Sequence, residues 1–235
     1  MFQFPTGYSE VTQLYRQTIE QNLKLIAVAS VDSENGASTL CQTLAERCAQ
    51  TNCKTLLIDL NFAAPHFHKV YNVERVDWYP NQVESLPIKA TKLDHLSILS
   101  MPTESSKRWE FRELESLRKF LDALREDFDI IIMDTSPLSS KNQGNVPPET
   151  ICQCADGTLL SVLTGVNTET QIRDAYDLLK SADVNIHGAI LNDRFTPSLL
   201  SELLRETRRI ENFFPKLVKR LQDVLRNSTL LNQDI

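Results

Sequence analysis

The sequence predicts a doubly wound α/β fold, a mostly parallel sheet flanked by helices within a single domain, and three observations predict it. Short apolar runs without polar alternation recur along the chain, the texture of parallel strands buried on both faces. Between them lie segments with apolar residues at helical spacing, long enough for the crossovers that parallel neighbours need. The 235 residues suffice for one sizeable core, and a second full domain is not expected.

A polar helix is expected over 8–22, with Val11, Leu14, Tyr15 and Ile19 as its apolar stripe. The run 25–29 reads as a buried strand, and a polar, glycine-containing loop over 30–36 leads to a helix over 37–50. Strands follow at 55–59 and, more weakly, at 96–99. The span 110–126 is periodic, with Leu114, Leu117, Leu121 and Leu124 on one face, and leads into the most apolar strand, 130–134. Strands at 158–163 and 187–191 bracket a helix over 169–182. The stretches 63–94 and 135–148 read as long loops, which in compact domains are functional or disordered. In such a fold ligands sit beyond the carboxyl ends of the strands, where Asp59, Asp134 and the 30–36 loop all fall.

The apolar share of 41% and charged share of 24% are those of an ordinary globular protein. A net charge of −6 disfavours a nucleic-acid backbone binder, although a local basic patch is compatible with it. No apolar stretch approaches the roughly 20 residues a membrane span needs. Residues 1–22 show neither a charged n-region nor an apolar core, so no secretory signal is expected. Five cysteines, an odd number, read as reduced thiols of a cytoplasmic protein. Cys152 and Cys154 form a CxC, but no second cluster with zinc spacing accompanies them, so ordinary buried thiols are the expectation.

The loop Ser33-Glu34-Asn35-Gly36-Ala37-Ser38-Thr39 stands where a strand gives way to a helix, the setting of a phosphate-binding loop. Ser38 occupies the place of the magnesium ligand, and Ala37 the place of the phosphate lysine. Asp32 and Glu34 add negative charge where phosphates approach. One like-charge pair at about 4 Å costs about 4 kcal/mol at an effective dielectric near 20. A helix N-terminus returns about 1–2 kcal/mol. Asp59 and Asp134, each ending an apolar strand, are costly to place unless a cation or donors meet them. A magnesium site shared with Ser38 is one way to meet that need; capping of the turns and helices that follow is the other.

These residues, in this order, resemble the MinD/ParA branch of P-loop ATPases, and most closely the cytoplasmic domains of bacterial tyrosine kinases of polysaccharide export, the CpsD- and Wzc-like proteins. The similarity runs over about 10–192. Residues 54–68, KTLLIDLNFAAPHFH, resemble the family's KTLLIDxDxRxPxxH; Asp59, Pro65 and His68 match, while Asn61 replaces its second aspartate and Ala63 its arginine. Residues 128–137, FDIIIMDTSP, look like its YDxxIIDTPP stretch. Residues 154–157 resemble the start of its ADGxxLV strand, and 188–192, GAILN, its GxVLN segment. Residues 10–16 resemble the ExxRxxR subunit-contact helix, with Gln13 in place of the first arginine.

The resemblance implies a nucleotide, ATP or ADP with magnesium, at Gly36, Ala37, Ser38 and Thr39, with Asn192 against adenine. It implies magnesium at Ser38, Asp59 and Asp134, and a subunit contact through Glu10 and Arg16. The departures fall on catalysis: phosphate lysine, second acid, arginine and a C-terminal tyrosine cluster are missing together, and Asp32 stands in place of the lysine that opens the MinD and ParA loop. No catalytic residue is assigned. The expectation is a degenerate P-loop ATPase or kinase-like protein acting by protein contact on polysaccharide synthesis or export, with a membrane protein of that system or another bacterial protein as partner, and a homo-oligomer compatible with it. The alternative is a MinD/ParA-type ATPase, hydrolysing ATP to switch cell positioning or partitioning. DNA segregation rests only on the basic stripe of Arg205, Arg208 and Arg209 and is disfavoured by the acidity.

The chain is read as a contact helix over 1–23, a nucleotide-fold core over 24–195 and C-terminal helices over 196–235. The last region carries amphipathic candidates at 199–210 and 213–225. The second sets Phe213, Phe214, Leu217, Leu221 and Val224 against Lys216, Lys219 and Arg220. Such a helix can lie in a membrane interface; packing on the core is the default expectation.

Overall fold

A computed structural model describes residues 6, 8–19, 21–81, 86–103, 108–140 and 146–194. The elements are α1 (Ser9–Ile19), β1 (Leu25–Ser30), α2 (Ala37–Gln50), β2 (Thr55–Leu60), α3 (Phe67–Val70), β3 (Lys89–Ala90) and β4 (Leu96–Leu99). After a 3₁₀ turn (Arg108–Arg112) come α4 (Leu114–Leu124), β5 (Ile130–Thr135), α5 (Pro148–Cys152), β6 (Gly157–Leu163), α6 (Glu169–Ser181) and β7 (Ile186–Asn192). The sheet order is β3-β4-β2-β5-β1-β6-β7, parallel at every pairing except β3 with β4.

Each residue of β1, β2, β5 and β6 is buried, as continuous apolar runs in a two-sided sheet require. Side chains alternate between two cores. Leu25, Ala27, Leu56, Ile58, Ile131 and Met133 face α4, α5 and α6, whereas Ile26, Val28, Leu57, Ile130 and Ile132 face α1 and α2. That division is the doubly wound arrangement. No helix among the described residues is long and apolar enough to cross a membrane.

The helix expected over 110–126 divides in two. Glu113 is extended at φ −81°, ψ 103°, separating the 3₁₀ turn from α4. The cause is aromatic packing: Phe111 is pulled into the core edge-on to both Phe62 and Trp78, with ring centroids 5.2 and 5.0 Å away. The stretch 63–94 carries α3 and β3, both too short for periodicity to reveal. Helix α5 starts at Pro148, the last residue of the loop expected over 135–148.

Carboxylates tie the N-terminal edge of the sheet. Asp156, just before β6, accepts from the Lys24 and Leu25 amides at 2.9 and 2.8 Å and from the Arg125 guanidinium at 2.7 Å. Asp129 accepts from the Lys54 amide at 2.8 Å, ahead of β2.

The first compact unit is Met1–Asn192, ending with β7. The C-terminal helices expected at 199–210 and 213–225, with the basic stripe, lie outside the described residues.

Candidate functional site

The parallel register sets the two acids side by side. β5 lies between β2 and β1, and Asp59 pairs in register with Asp134, which in turn pairs with Val28. The loop leaving β1 therefore rises directly beside Asp134. Leu138 and Ser139 amides donate to the Ser30 and Val31 carbonyls at 2.9 and 3.2 Å, and the Val31 amide donates to the Ser161 carbonyl at 3.2 Å. The loop thus starts as a clamped extension of the sheet.

Gly36 is the N-cap of α2, with a left-handed φ of 88° and no side-chain cap bond. Ahead of it the Asn35 carbonyl accepts from Ser161 Oγ at 2.8 Å and from Asn192 Nδ2 at 3.1 Å, and the Asn35 and Asn167 amides are paired. Asn192, expected beside adenine, is thus brought to the phosphate loop as a brace. A Cβ built on Gly36 would lie 2.5 Å from Asn192 Nδ2, so only glycine leaves room for that brace. Ala37 is buried among the apolar residues between α1, α2 and the sheet, where it supplies neither charge nor donor. Ser38 and Thr39 are half-buried.

Ser38 Oγ donates to Asp134 Oδ2 at 2.6 Å, so the pair expected from spacing is brought together. Asp134 is fully buried, and its carboxyl is pushed up to about 8, first by burial and then by the Asp59 charge, against bonds from Ser38, Asn61 and Cys41. Asp59 is also raised, chiefly by burial. Its oxygens accept from the Asn61, His66 and Phe67 amides at 3.2, 2.9 and 3.2 Å. Asp59 is therefore a cap of the turn and of α3, whatever else it holds; among the described residues Asp134 caps no turn or helix.

The charges around the loop are also placed. Asp32 accepts from Ser139 Oγ and the Ser33 amide, both at 2.7 Å, and these bonds hold it below the usual carboxylate range. Its charge is thus kept at the start of the loop, the position that the sequence comparison with MinD and ParA loops gives to a second lysine. Arg75 is the cation whose field reaches Asp59, but its guanidinium donates to the Met101 and Pro102 carbonyls. Ala63 is exposed and contributes only its amide, 3.4 Å from Ser136 Oγ.

A magnesium ion fits part of this arrangement. Ser38 and the two buried carboxylates are oxygen donors of the kind it takes, and a dication would relieve their mutual repulsion. The polyphosphate fits poorly, with Ala37, Asp32 and Glu34 on its path. Among the described residues no group of three or more His, Cys, Asp or Glu is arranged for a metal. Cys152 and Cys154 are buried, with thiols pushed up by burial to about 12 and about 11. Glu10 and Arg16 are both exposed on α1.

One residue escaped the sequence reading, and another has a role it did not foresee. Asn61, expected only as the replacement of an aspartate, faces Asp134 and helps to lower its carboxyl, and it accepts from the Ala64 amide at 3.1 Å. Arg75 lies in a connection without periodicity, where no local signal pointed to Asp59.

No family model matches the chain. Curated relatives include the tyrosine-protein kinase ptk of Acinetobacter johnsonii, 26% identical over 72% of this chain and 23% of its own length. Another is the tyrosine-protein kinase CpsD of Streptococcus pneumoniae, 25% identical over 72% of this chain and 76% of its own. The chain thus spans about three quarters of some relatives and about a quarter of others. Among solved structures, the kinase domain of Escherichia coli tyrosine kinase ETK superposes with a TM-score of 0.64, 22% identity, covering 77% of this chain and 71% of that one. The septum site-determining protein MinD from Pyrococcus horikoshii OT3, complexed with Mg-ADP, gives 0.59 at 19% identity, covering 74% and 71%. The chain is a relative of the bacterial tyrosine kinases, built on the fold of the MinD-type P-loop ATPases.

Proposed function

We propose that this chain is a non-catalytic relative of the tyrosine-kinase domain that acts by protein contact in bacterial polysaccharide synthesis or export. One observation supports the reading: the polar groups of the site are engaged with one another. Asp134 is met by Ser38 and Asn61, Asp59 by three amides, and the loop by Asn192, while Ala37 lies in the core. An aspartate at 61 would set a third carboxylate beside the pair and demand a cation; the asparagine supplies a donor instead.

On this reading the chain works in the cytoplasm, peripheral at the inner membrane, against a membrane protein of the export system. Glu10 and Arg16 on α1 form its contact with further copies. Magnesium, where bound, supplies charge neutralisation at Ser38, Asp59 and Asp134. Were a nucleotide to bind, Gly36 to Thr39 would offer their backbone to phosphate and Asn192 would have to leave the Asn35 carbonyl to reach adenine.

A second reading, a nucleotide-switched ATPase of MinD/ParA type, is favoured by the left-handed Gly36 followed by the intact Ser38–Asp134 pair. Titration calorimetry of the full chain with ATP and ADP in magnesium separates the two. We expect no saturable heat at micromolar concentrations and no phosphate release. Micromolar binding overturns the internally satisfied site, and turnover overturns the non-catalytic reading as a whole.

A further inference from the structure

The far end of α2 carries two cysteines in a backbone motif that makes their side chains neighbours. Thr51 closes the helix, Asn52 turns left-handed at φ 62°, and the Cys53 amide donates back to the Cys48 carbonyl at 3.3 Å. The Asn52 amide donates to the Ala49 carbonyl at 3.0 Å. These two bonds define a Schellman cap, in which the side chains three residues inside and two residues outside the helix end touch, ordinarily as an apolar pair. Here both positions are thiols. Cys48 is fully buried, Cys53 is half-buried, and Thr51 Oγ1 lies 3.5 Å from Cys53 Sγ while donating to the Cys48 carbonyl at 2.7 Å. Burial, reinforced by the nearby Cys53, pushes the Cys48 thiol up to about 12.

We propose that Cys48 and Cys53 are a peroxide-sensitive dithiol that closes to a disulfide across the C-terminal cap of α2. The bond from the Cys53 amide to the Cys48 carbonyl brings the two residues together across the cap, where a disulfide needs a Cα separation of about 4.4–6.8 Å. Cys53 is the more exposed of the two residues and is assigned the first reaction. Its thiolate attacks one oxygen of hydrogen peroxide, the O–O bond breaks, and hydroxide leaves Cys53 as a sulfenic acid. Cys48 sulfur then displaces the sulfenic hydroxyl: the S–S bond forms, the S–O bond breaks, and the thiol proton departs with that hydroxyl as water. Two electrons pass from the sulfurs to the peroxide, which ends as water. The closure fixes the turn that anchors α1, because Thr51 Oγ1 also bonds the Tyr15 hydroxyl at 3.2 Å. It lies at the opposite end of α2 from Gly36 and Ser38, and is independent of whether nucleotide binds there.

The full native chain is treated with hydrogen peroxide, alkylated after denaturation and mapped by mass spectrometry. We expect a Cys48–Cys53 peptide lighter by about 2 Da than the dithiol, restored by a reducing dithiol, while Cys41 and Cys152 remain alkylatable. Cys48→Ser should leave Cys53 trapped as a sulfenic acid that reacts with dimedone, whereas the unmodified sequence yields little adduct. Asn52→Gly keeps the left-handed turn and should close at the same rate; Asn52→Ile should slow closure by about tenfold, because a β-branched residue resists that region. Over-oxidised Cys53 beside a free Cys48 thiol, or a disulfide that forms at Cys152–Cys154 instead, overturns the proposal.

Discussion

The two edges of the sheet use the same residue type to opposite ends. At the N-terminal edge Asp156 sits among two amides and a guanidinium, and although burial opposes it, Arg125 and the Leu25 and Lys24 amides hold its carboxyl below the usual range. At the C-terminal edge Asp59 and Asp134 face each other in register, and burial raises both. The first edge stabilises the charge it holds; the second holds charge that the fold resists. Strand ends that cost free energy are where ligand chemistry is kept in this fold, and here the uncharged Ala37 stands beside them.

The contrast is broken most forcefully at Asp156. Asp156→Ala should destabilise the fold by about 3 kcal/mol, because it strands a buried-side guanidinium and two amides that join β1 to β6. The loss is read by urea unfolding at pH 7. The folded pKa lies below the unfolded one, so this contribution is present above the unfolded value and disappears as pH falls through the folded one. A variant as stable as the parent at pH 7 would show that the N-terminal clasp is ornamental.

Asp134→Asn should act in the opposite direction. Below pH of about 4 the carboxyl is protonated in both folded and unfolded chains, and the variant gains nothing. As pH rises toward about 8 the unfolded chain releases the proton and the folded chain retains it, so the parent loses stability across that window and the variant does not. We expect a gain on the order of 2 kcal/mol at pH 8 that fades toward pH 4. Magnesium sharpens the test: if the site loads the ion, millimolar magnesium stabilises the parent and not the variant. No gain at pH 8 would mean that donors already satisfy Asp134.

Much of this was legible in the residues. The buried strands announce themselves because two-sided burial forces uninterrupted apolar runs, and Ser38 with Asp134 follows from their places at adjacent strand ends. What was not legible depended on contacts across the chain. Phe111 breaks the helix expected over 110–126 because its ring is claimed by Phe62 and Trp78, partners about 50 and 30 residues away in sequence. Asp59 could be read as ligand or as cap, and only the path of 61–67 folding back onto it makes it a cap. Asn192 was placed by resemblance beside adenine; its bond to the Asn35 carbonyl needs the pairing of β6 with β7 to carry it to the loop.

The smallest expected effect asks whether that brace belongs to the loop or merely rests there. Gly36→Ala meets two costs. A left-handed φ of 88° is unfavourable for alanine by about 1 kcal/mol. The added Cβ also lands 2.5 Å from Asn192 Nδ2, which must swing away and release the Asn35 carbonyl, for about 1 kcal/mol more. In an Asn192→Ala background the second cost is already incurred, so Gly36→Ala should cost only the first. Urea midpoints of the four chains should therefore give a coupling of about 1 kcal/mol. Such coupling means that a nucleotide reaching for Asn192 must first break an internal bond, and the C-terminal edge resists its own ligand as well as its own charge. Costs that add without coupling would mean that the bond to the Asn35 carbonyl does not hold the loop, and the two edges would differ in charge alone.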